Sequence, residues 1–181
     1  REEEERYELA RENLTRYFDA RVANTYALAH AKGLYEHQRA ECADRRMVNL
    51  TRSGSPSIQN YGVILWSGDI MATWEVFRNQ IAEGLSMGMS GIPYWTLDIG
   101  AFFVGSTEGF RRFANVTEGE APWCWHGLFE KGVEDMGYRE LYTRWLQMGT
   151  FLPVMRSHGT DTPREPWHFG EPGTIYYDTI T

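Results

Sequence analysis

The chain has 181 residues, of which 42% are hydrophobic and 24% are charged, a balance that excludes wholesale disorder and allows one domain or part of a larger one. The formal net charge of −7 argues against a nucleic-acid partner, because no basic stripe is present to displace phosphate counterions. No apolar run approaches the roughly 18 residues of a membrane-spanning helix, so we expect no membrane partner.

Two helical segments open the chain. In residues 2–18, charged residues are interspersed among apolar ones, which is typical of an amphipathic helix. Asp19 and Ala20 then indicate a break. Residues 22–38 are rich in Ala, Leu and Tyr and predict a second helix whose charged face is solvated.

Four short segments with strand-like composition follow, separated by turn residues and helical segments. The first is predicted at residues 46–50 and is followed by a loop over residues 55–61, which contains Pro56 and has no periodicity. The remaining strands are predicted at residues 62–66, 92–97 and 151–155.

Helices are predicted at residues 71–85 and 138–147, each between two of these strands. The segment 101–136 is long and rich in aromatic residues but has little pattern, which indicates an ordered lid or rim. The tail from Thr160 to the end of the chain contains several Pro and Gly residues, including Gly173, and is predicted as loop.

Charged side chains follow all four predicted strands. They are Arg52, Asp69, Asp98 and His158. On its own, Asp69 is explained more simply as the N-cap of the helix that begins near residue 71. However, strands that alternate with helices imply a parallel sheet, and in such sheets functional residues gather at the carboxyl ends of the strands. The presence of a charged side chain after every predicted strand therefore favours one shared site.

The predicted fold is α/β in class, but its sheet is too small to close on itself. Four strands cannot form a barrel, which needs about eight, so the chain reads as half of one. A half-barrel has two open sheet edges and uncovered apolar surface. We therefore expect self-association or pairing with the missing half.

Three kinds of site could use two carboxylates, an Arg and a His. In glycoside hydrolysis, one carboxyl group protonates the leaving oxygen and another attacks or activates water. A divalent-metal site could use Asp69, Asp98 and His158. In a purely structural network, Arg52 would bridge both carboxylates.

Aromatic side chains near these strand ends favour a sugar. Trp66, Trp95 and Phe102 could stack on the apolar faces of a sugar ring while the charged groups bind its hydroxyls. Closely spaced metal ligands such as HxH or HxxxH are absent from the sequence, so we expect no metal and no other cofactor.

Longer motifs in the same places resemble glycoside hydrolase family 31, which includes α-glucosidases, α-xylosidases and related α-transglycosylases. The resemblance covers roughly residues 22–172. It is carried by LTRSG at 50–54, WSGD at 66–69, GIPYWTLDIG at 91–100, LYTRWLQ at 141–147, FLP at 151–153, RSHG at 156–159 and REPW at 164–167.

The resemblance implies the C-terminal part of a (β/α)₈ TIM barrel that hydrolyses α-linked glucosides or xylosides with retention. It implies that Asp69 is the general acid/base. Arg52 and His158 would bind hydroxyls of the sugar, Trp66 and Phe102 would form aromatic walls of the pocket, and Asp98 would be a supporting carboxylate. The oligosaccharide or α-glycoside substrate is the partner that follows from these roles.

The family's nucleophilic Asp has no match in this sequence. Its place would fall upstream of Arg1, and Asp98 is a weak internal candidate because the resemblance gives it a supporting role. We therefore expect residues 1–181 to be a single partial catalytic domain that lacks the upstream strands and the last helix and is inactive alone. A non-catalytic carbohydrate-binding module and a metal-dependent hydrolase remain alternatives.

Overall fold

The computed structural model describes residues 3–172, 174, 176 and 178. They form two compact units, Arg1–Ile64 and Leu65–Thr181, which we describe separately. Among the described residues, no helix is both long enough and apolar enough to cross a membrane.

The first unit contains both predicted helices. Helix α1 spans Glu3–Thr15 and helix α2 spans Tyr26–Glu41, with a 3₁₀ turn at Ala23–Thr25 just before α2. Residue 2, with which we expected α1 to begin, lies outside the described residues. In the predicted break, the Asp19 carboxylate accepts hydrogen bonds from the Arg21 side chain.

The first strand and the loop after it differ from the prediction. Strand β1 spans Asn49–Thr51 rather than residues 46–50, and its first residue exchanges two side-chain hydrogen bonds with Gln38 of α2, at 3.0 and 3.3 Å. The predicted loop contains a 3₁₀ helix at Ile58–Tyr61, whose first residue, Ile58, is completely buried. Gly62 follows with φ +64°, and a Cβ there would lie 2.1 Å from the Met47 carbonyl oxygen.

Strand β2 spans Val63–Trp66 and β3 spans Trp95–Thr96, and the strand order of the sheet is β1-β2-β3. Strands β2 and β3 are parallel, with Leu65 opposite Trp95 and Trp66 opposite Thr96. Both were predicted, although β3 is shorter than the expected range of 92–97. The parallel pairing places the residues that follow β2 and β3 at the same edge of the sheet.

The fourth predicted strand, at residues 151–155, is wrong. The chain after helix α5 (Met136–Gly149) continues in helical turns, in which the Leu152 N–H donates to the Gly149 carbonyl, and Pro153 has no N–H to donate. The chain does run beside β3 immediately afterwards, as a single parallel bridge between Ile99 and Ser157.

Both helices predicted in the second unit are present, although their ends differ from the predicted ones. Helix α3 spans Trp74–Met89, and α5 covers the predicted 138–147. The long segment 101–136 is ordered and contains helix α4, Thr107–Ala114. The predicted terminal loop includes a 3₁₀ helix at Pro166–Phe169, and Gly173 in that prediction lies outside the described residues.

The core of the second unit is built where α5 packs against the residues that follow β3. Leu97, Ile99 and Ala101 are completely buried, as is Trp145 of α5. The Trp145 ring contacts Phe77 of α3 at a centroid distance of 5.3 Å. The polar residue within this apolar segment, Asp98, is therefore held in a rigid environment.

Candidate active site

The turn after β2 exposes Asp69 and is fastened to the segment after β3. Gly68 has φ +84°, a conformation that glycine adopts without strain. The Ile70 carbonyl accepts hydrogen bonds from the N–H groups of Phe102 and Phe103, at 2.8 and 3.0 Å. Asp69 is exposed, whereas Ile70 is buried. The backbone thus fixes where the Asp69 carboxylate emerges.

The interpretation of Asp69 as a helix cap is wrong. Helix α3 begins at Trp74 and not near residue 71, and its N-cap is Thr73, whose Oγ1 accepts a hydrogen bond from the Val76 N–H at 3.0 Å. Three residues separate Asp69 from the cap position. The helix therefore does not explain why a carboxylate follows β2.

Asp98 lies two residues after β3 and is completely buried. Its Oδ1 accepts a hydrogen bond from Arg156 Nη2, and its Oδ2 has no hydrogen-bond partner among the described residues. Burial raises the pKa of Asp98 to about 6, against the opposing charge of Arg156. A carboxyl group in this position can support the guanidinium but is shielded from solvent.

Arg156 is a member of this site to which our predictions gave no role. Its guanidinium carbon lies 5.6 Å from the centroid of the Trp66 ring, within the range of a cation–π contact. The side chain therefore joins Trp66, at the end of β2, to Asp98 beyond β3. Its only sequence signal was its place two residues before His158.

His158 and Phe102 lie together, as their shared prediction requires. Their ring centroids are 5.4 Å apart and the rings are tilted by 49°. Partial burial lowers the pKa of His158, Arg156 and Arg164 lower it further, and Asp69 opposes them. The imidazole is exposed and Phe102 is half-buried, so both can meet a ligand.

The turn that carries Phe102 has an unusual backbone. Gly100 and Ala101 have φ values of +88° and +65°, and the second is costly for a residue with a Cβ. The Tyr138 hydroxyl donates to the Gly100 carbonyl at 2.9 Å, and Arg164 Nη2 donates to the Ala101 carbonyl at 2.5 Å. These bonds hold a conformation that the sequence alone does not favour.

The second unit thus brings together five predicted residues at one edge of its sheet: Trp66, Asp69, Asp98, Phe102 and His158. Arg156 contacts two of them, Asp98 and Trp66. Arg52 lies in the first unit, exposed and immediately after β1. Trp95, the third aromatic residue proposed for a sugar site, is only 5% exposed and packs against Gly84 of α3, so it belongs to the packing between β3 and α3.

The arrangement suits acid–base chemistry on a polar organic ligand. It combines an exposed carboxylate, an imidazole, a guanidinium and aromatic faces. Within the described part of the chain, no group of three or more His, Cys, Asp or Glu side chains is placed to hold a metal ion. Cys42 and Cys124 are both free thiols.

Comparison with known families gives the same fold. The model for the glycosyl hydrolases family 31 TIM-barrel domain matches residues 2–181. The chain belongs to glycoside hydrolase family 31. The predicted family and the predicted fold, part of a (β/α)₈ barrel, are therefore confirmed.

Relatives in this family carry the names of α-glycosidases. The chain is 38% identical over 146 residues to an α-xylosidase of Saccharolobus solfataricus and covers 81% of its own length but 16% of that protein. It is 34% identical over 167 residues to α-xylosidase A of Aspergillus niger, with 84% of this chain and 20% of that protein covered. The chain thus spans about a fifth or less of these two relatives.

Solved structures of the family resemble the chain closely. A family 31 α-xylosidase of Xanthomonas citri matches with a TM-score of 0.67 and 36% identity, over 87% of this chain and 15% of that one. An α-xylosidase from a soil metagenome, solved with xylose, matches with a TM-score of 0.62 and 29% identity, over 89% of this chain and 22% of that one.

Proposed function

We propose that the protein to which this chain belongs hydrolyses α-linked glycosides with retention, and that its substrates are α-xylosides or α-glucosides. The observation that carries the proposal is the exposed Asp69 carboxylate after β2, next to a segment that presents His158 and Phe102. The family of the chain and the α-xylosidase names of its relatives support the substrate class.

Asp69 acts in both steps of the proposed reaction. It donates a proton to the glycosidic oxygen as the bond to the leaving group breaks, and then removes a proton from the water that releases the sugar. Its exposed position, with no capping role, suits a group that must reach the substrate and exchange protons with water.

The other site residues hold the sugar. We assign hydroxyl contacts to His158 and Arg52, and aromatic walls to Trp66 and Phe102. We assign Asp98 to substrate binding through Arg156, because its own carboxylate is buried and its Oδ1 is bonded to that guanidinium. In this role Asp98 supports Arg156 and does not itself contact the sugar.

The retaining mechanism needs a second carboxylate about 5–5.5 Å from the acid/base. Asp98 is poorly suited, because its side chain is completely buried and its Oδ1 is bonded to Arg156. We therefore keep the prediction that the nucleophile lies upstream of residue 1 in the full-length protein, and that residues 1–181 alone do not turn over substrate.

The test uses the full-length protein with p-nitrophenyl α-xyloside and α-glucoside. We expect release of nitrophenol from at least one of them, unaffected by a chelator, and formation of the α-anomer of the sugar as the first product by proton NMR. Binding of xylose without turnover would favour the carbohydrate-binding alternative, loss of activity with the chelator would favour the metal-dependent one, and a β-anomer would contradict retention.

We also propose that the 181-residue chain associates with itself or with the rest of its barrel. The C-terminal half of α3 exposes Ile81, Leu85 and Met89, which recur at helical spacing, and Phe151 is 89% exposed. Light scattering on the isolated chain should show species larger than a monomer, and a monodisperse monomer would count against this proposal.

A further inference from the structure

Arg164 connects two loops of the second unit through its guanidinium. Nη2 donates to the Ala101 carbonyl at 2.5 Å, and Nη1 donates to the Thr162 carbonyl. Ala101 immediately precedes Phe102, and Thr162 lies on the loop that carries His158. One planar side chain therefore spans the two segments that present the proposed sugar contacts.

The Arg164 residue is itself held by helix α5. Its guanidinium carbon lies 5.7 Å from the centroid of the Tyr138 ring, and its backbone carbonyl accepts a hydrogen bond from the Tyr142 hydroxyl at 2.9 Å. Tyr138 and Tyr142 are both almost completely buried. Because α5 is part of the core, it gives the guanidinium a fixed position.

Gly159 leaves room for this guanidinium. A Cβ at residue 159 would lie only 2.0 Å from Arg164 Nη2 and 2.6 Å from its guanidinium carbon. The backbone of Gly159 lies outside the left-handed region, so the close approach of Arg164, and not backbone conformation, accounts for a glycine beside His158.

The link acts on a strained segment. Ala101 has φ +65°, a backbone conformation that is unfavourable for residues with a Cβ. Two further backbone bonds join the same loops: the Thr160 N–H donates to the Phe102 carbonyl at 3.1 Å, and the Ile99 N–H donates to the Arg156 carbonyl at 3.1 Å. Without the guanidinium, we expect Ala101 to relax and these bonds to open.

We propose that Arg164 is a positioning residue that holds the Phe102 loop (residues 98–103) and the His158 loop (residues 156–162) in one binding-competent arrangement. Arg164 does not itself touch the sugar. The proposal deepens the proposed function and rests on it, because it takes Phe102 and His158 as sugar contacts.

The chemistry requires arginine and not merely a positive charge. Two carbonyls are bridged by two nitrogens of one rigid plane, which also faces the Tyr138 ring. A lysine ammonium keeps the charge but is a single point on a flexible stem. The variant Arg164→Lys therefore keeps the positive charge but removes the bridge between the two carbonyls, so it shows which of the two matters.

The test is hydrogen exchange of the full-length protein, followed by mass spectrometry, for the wild type and the variants Arg164→Gln, Arg164→Lys and Gly159→Ala. Gly159→Ala keeps the arginine but displaces its guanidinium. We expect peptides from the Phe102 and His158 loops to exchange at least about tenfold faster in all three variants. The control Arg144→Gln removes an exposed arginine of α5 and should leave both loops unchanged.

The second measurement is xylose binding, followed by tryptophan fluorescence, together with kcat/KM for the better nitrophenyl glycoside. We expect each of the three variants to weaken xylose binding and to lower kcat/KM by about tenfold to a hundredfold. Arg144→Gln should match the wild type in both.

Three results would overturn the proposal: exchange in the two loops that stays at the wild-type rate, exchange that accelerates equally across the whole second unit, or full rescue by Arg164→Lys. The first denies the link, the second indicates general destabilisation, and the third indicates a role of charge alone. If the wild type hydrolyses neither glycoside, the proposed function fails, while the exchange data still test the link between the loops.

Discussion

The buried carboxylate of Asp98 and the partly exposed guanidinium of Arg156 form a hydrogen-bonded pair between residues 58 positions apart in the chain. The Asp98 side chain is completely buried, and Arg156 also faces the Trp66 ring at the end of β2. This pair joins β2, the segment after β3 and the segment that precedes His158. It is the element around which the site in the second unit is built.

The pair predicts a large cost for removing only one partner. Arg156→Leu would leave the Asp98 carboxylate buried without its counter-charge, and we expect a loss of about 3–5 kcal/mol in the free energy of unfolding at neutral pH. In the double variant Arg156→Leu/Asp98→Asn, much of that loss should be recovered. Urea unfolding of the four proteins measures both values, and an additive double variant would contradict the pairing.

The raised pKa of Asp98 predicts a pH dependence with a definite sign. Because the pKa is about 6 in the folded protein and 3.8 for the ordinary group, the folded state binds this proton more tightly. The contribution of Asp98 to stability is therefore greatest below pH 4 and falls, by on the order of 3 kcal/mol, as pH rises through about 6. The difference in unfolding free energy between wild type and Asp98→Asn should fall likewise, and a pH-independent difference would contradict the shift.

Ala101 predicts an unusual response to glycine. Ala101→Gly relieves the strain at φ +65° but removes a buried methyl group and adds entropy to the unfolded chain, so we expect a change in stability close to zero. The matched control Ala82→Gly, on an exposed face of α3, should lose about 1 kcal/mol. Thermal unfolding measures both, and equal losses at the two positions would contradict the strain.

The cap of α3 predicts that two neighbouring polar residues differ in role. Thr73→Ala removes the hydrogen bond to the Val76 N–H and should cost about 1 kcal/mol of stability. Asp69→Asn removes no helix cap, so we expect it to cost less stability than Thr73→Ala. A larger loss in Asp69→Asn than in Thr73→Ala would restore the capping interpretation.

The sequence was sufficient to predict the general fold, because its signals are local. Strand β2, its turn at Gly68 and helix α5 follow from apolar patterns, turn residues and helical periodicity. The same signals misplaced the start of α3, since Asp69 and Thr73 are both good N-cap residues and only the backbone path distinguishes them. The apolar run at residues 151–155 looked like a strand, but helical turns continue through Leu152 and Pro153 cannot complete a ladder.

The interior of the site could not be predicted in this way. The Asp98–Arg156 pair and the Arg164 link to Ala101 join residues 58 and 63 positions apart, and no local pattern records such a contact. The left-handed backbone conformation of Ala101 could not be predicted either, because contacts with Tyr138 and Arg164 impose it against the preference of alanine. The strand-end rule selected Asp69, Asp98 and His158, whose roles stay predictions, but it did not select Arg156 or Arg164.

Asp69 as the proton donor is the central claim, and two leaving groups test it most directly. The measurement is kcat/KM of the full-length protein and of Asp69→Ala for a 2,4-dinitrophenyl α-glycoside, which needs little protonation, and for the corresponding unactivated alkyl glycoside. Glu134→Gln, which changes an exposed carboxylate of the same unit, serves as the control. We predict that Asp69→Ala lowers kcat/KM by about 10²–10⁴ for the alkyl glycoside but by less than about tenfold for the dinitrophenyl one. Equal losses for the two substrates, or none for the alkyl glycoside, would contradict the assignment of Asp69.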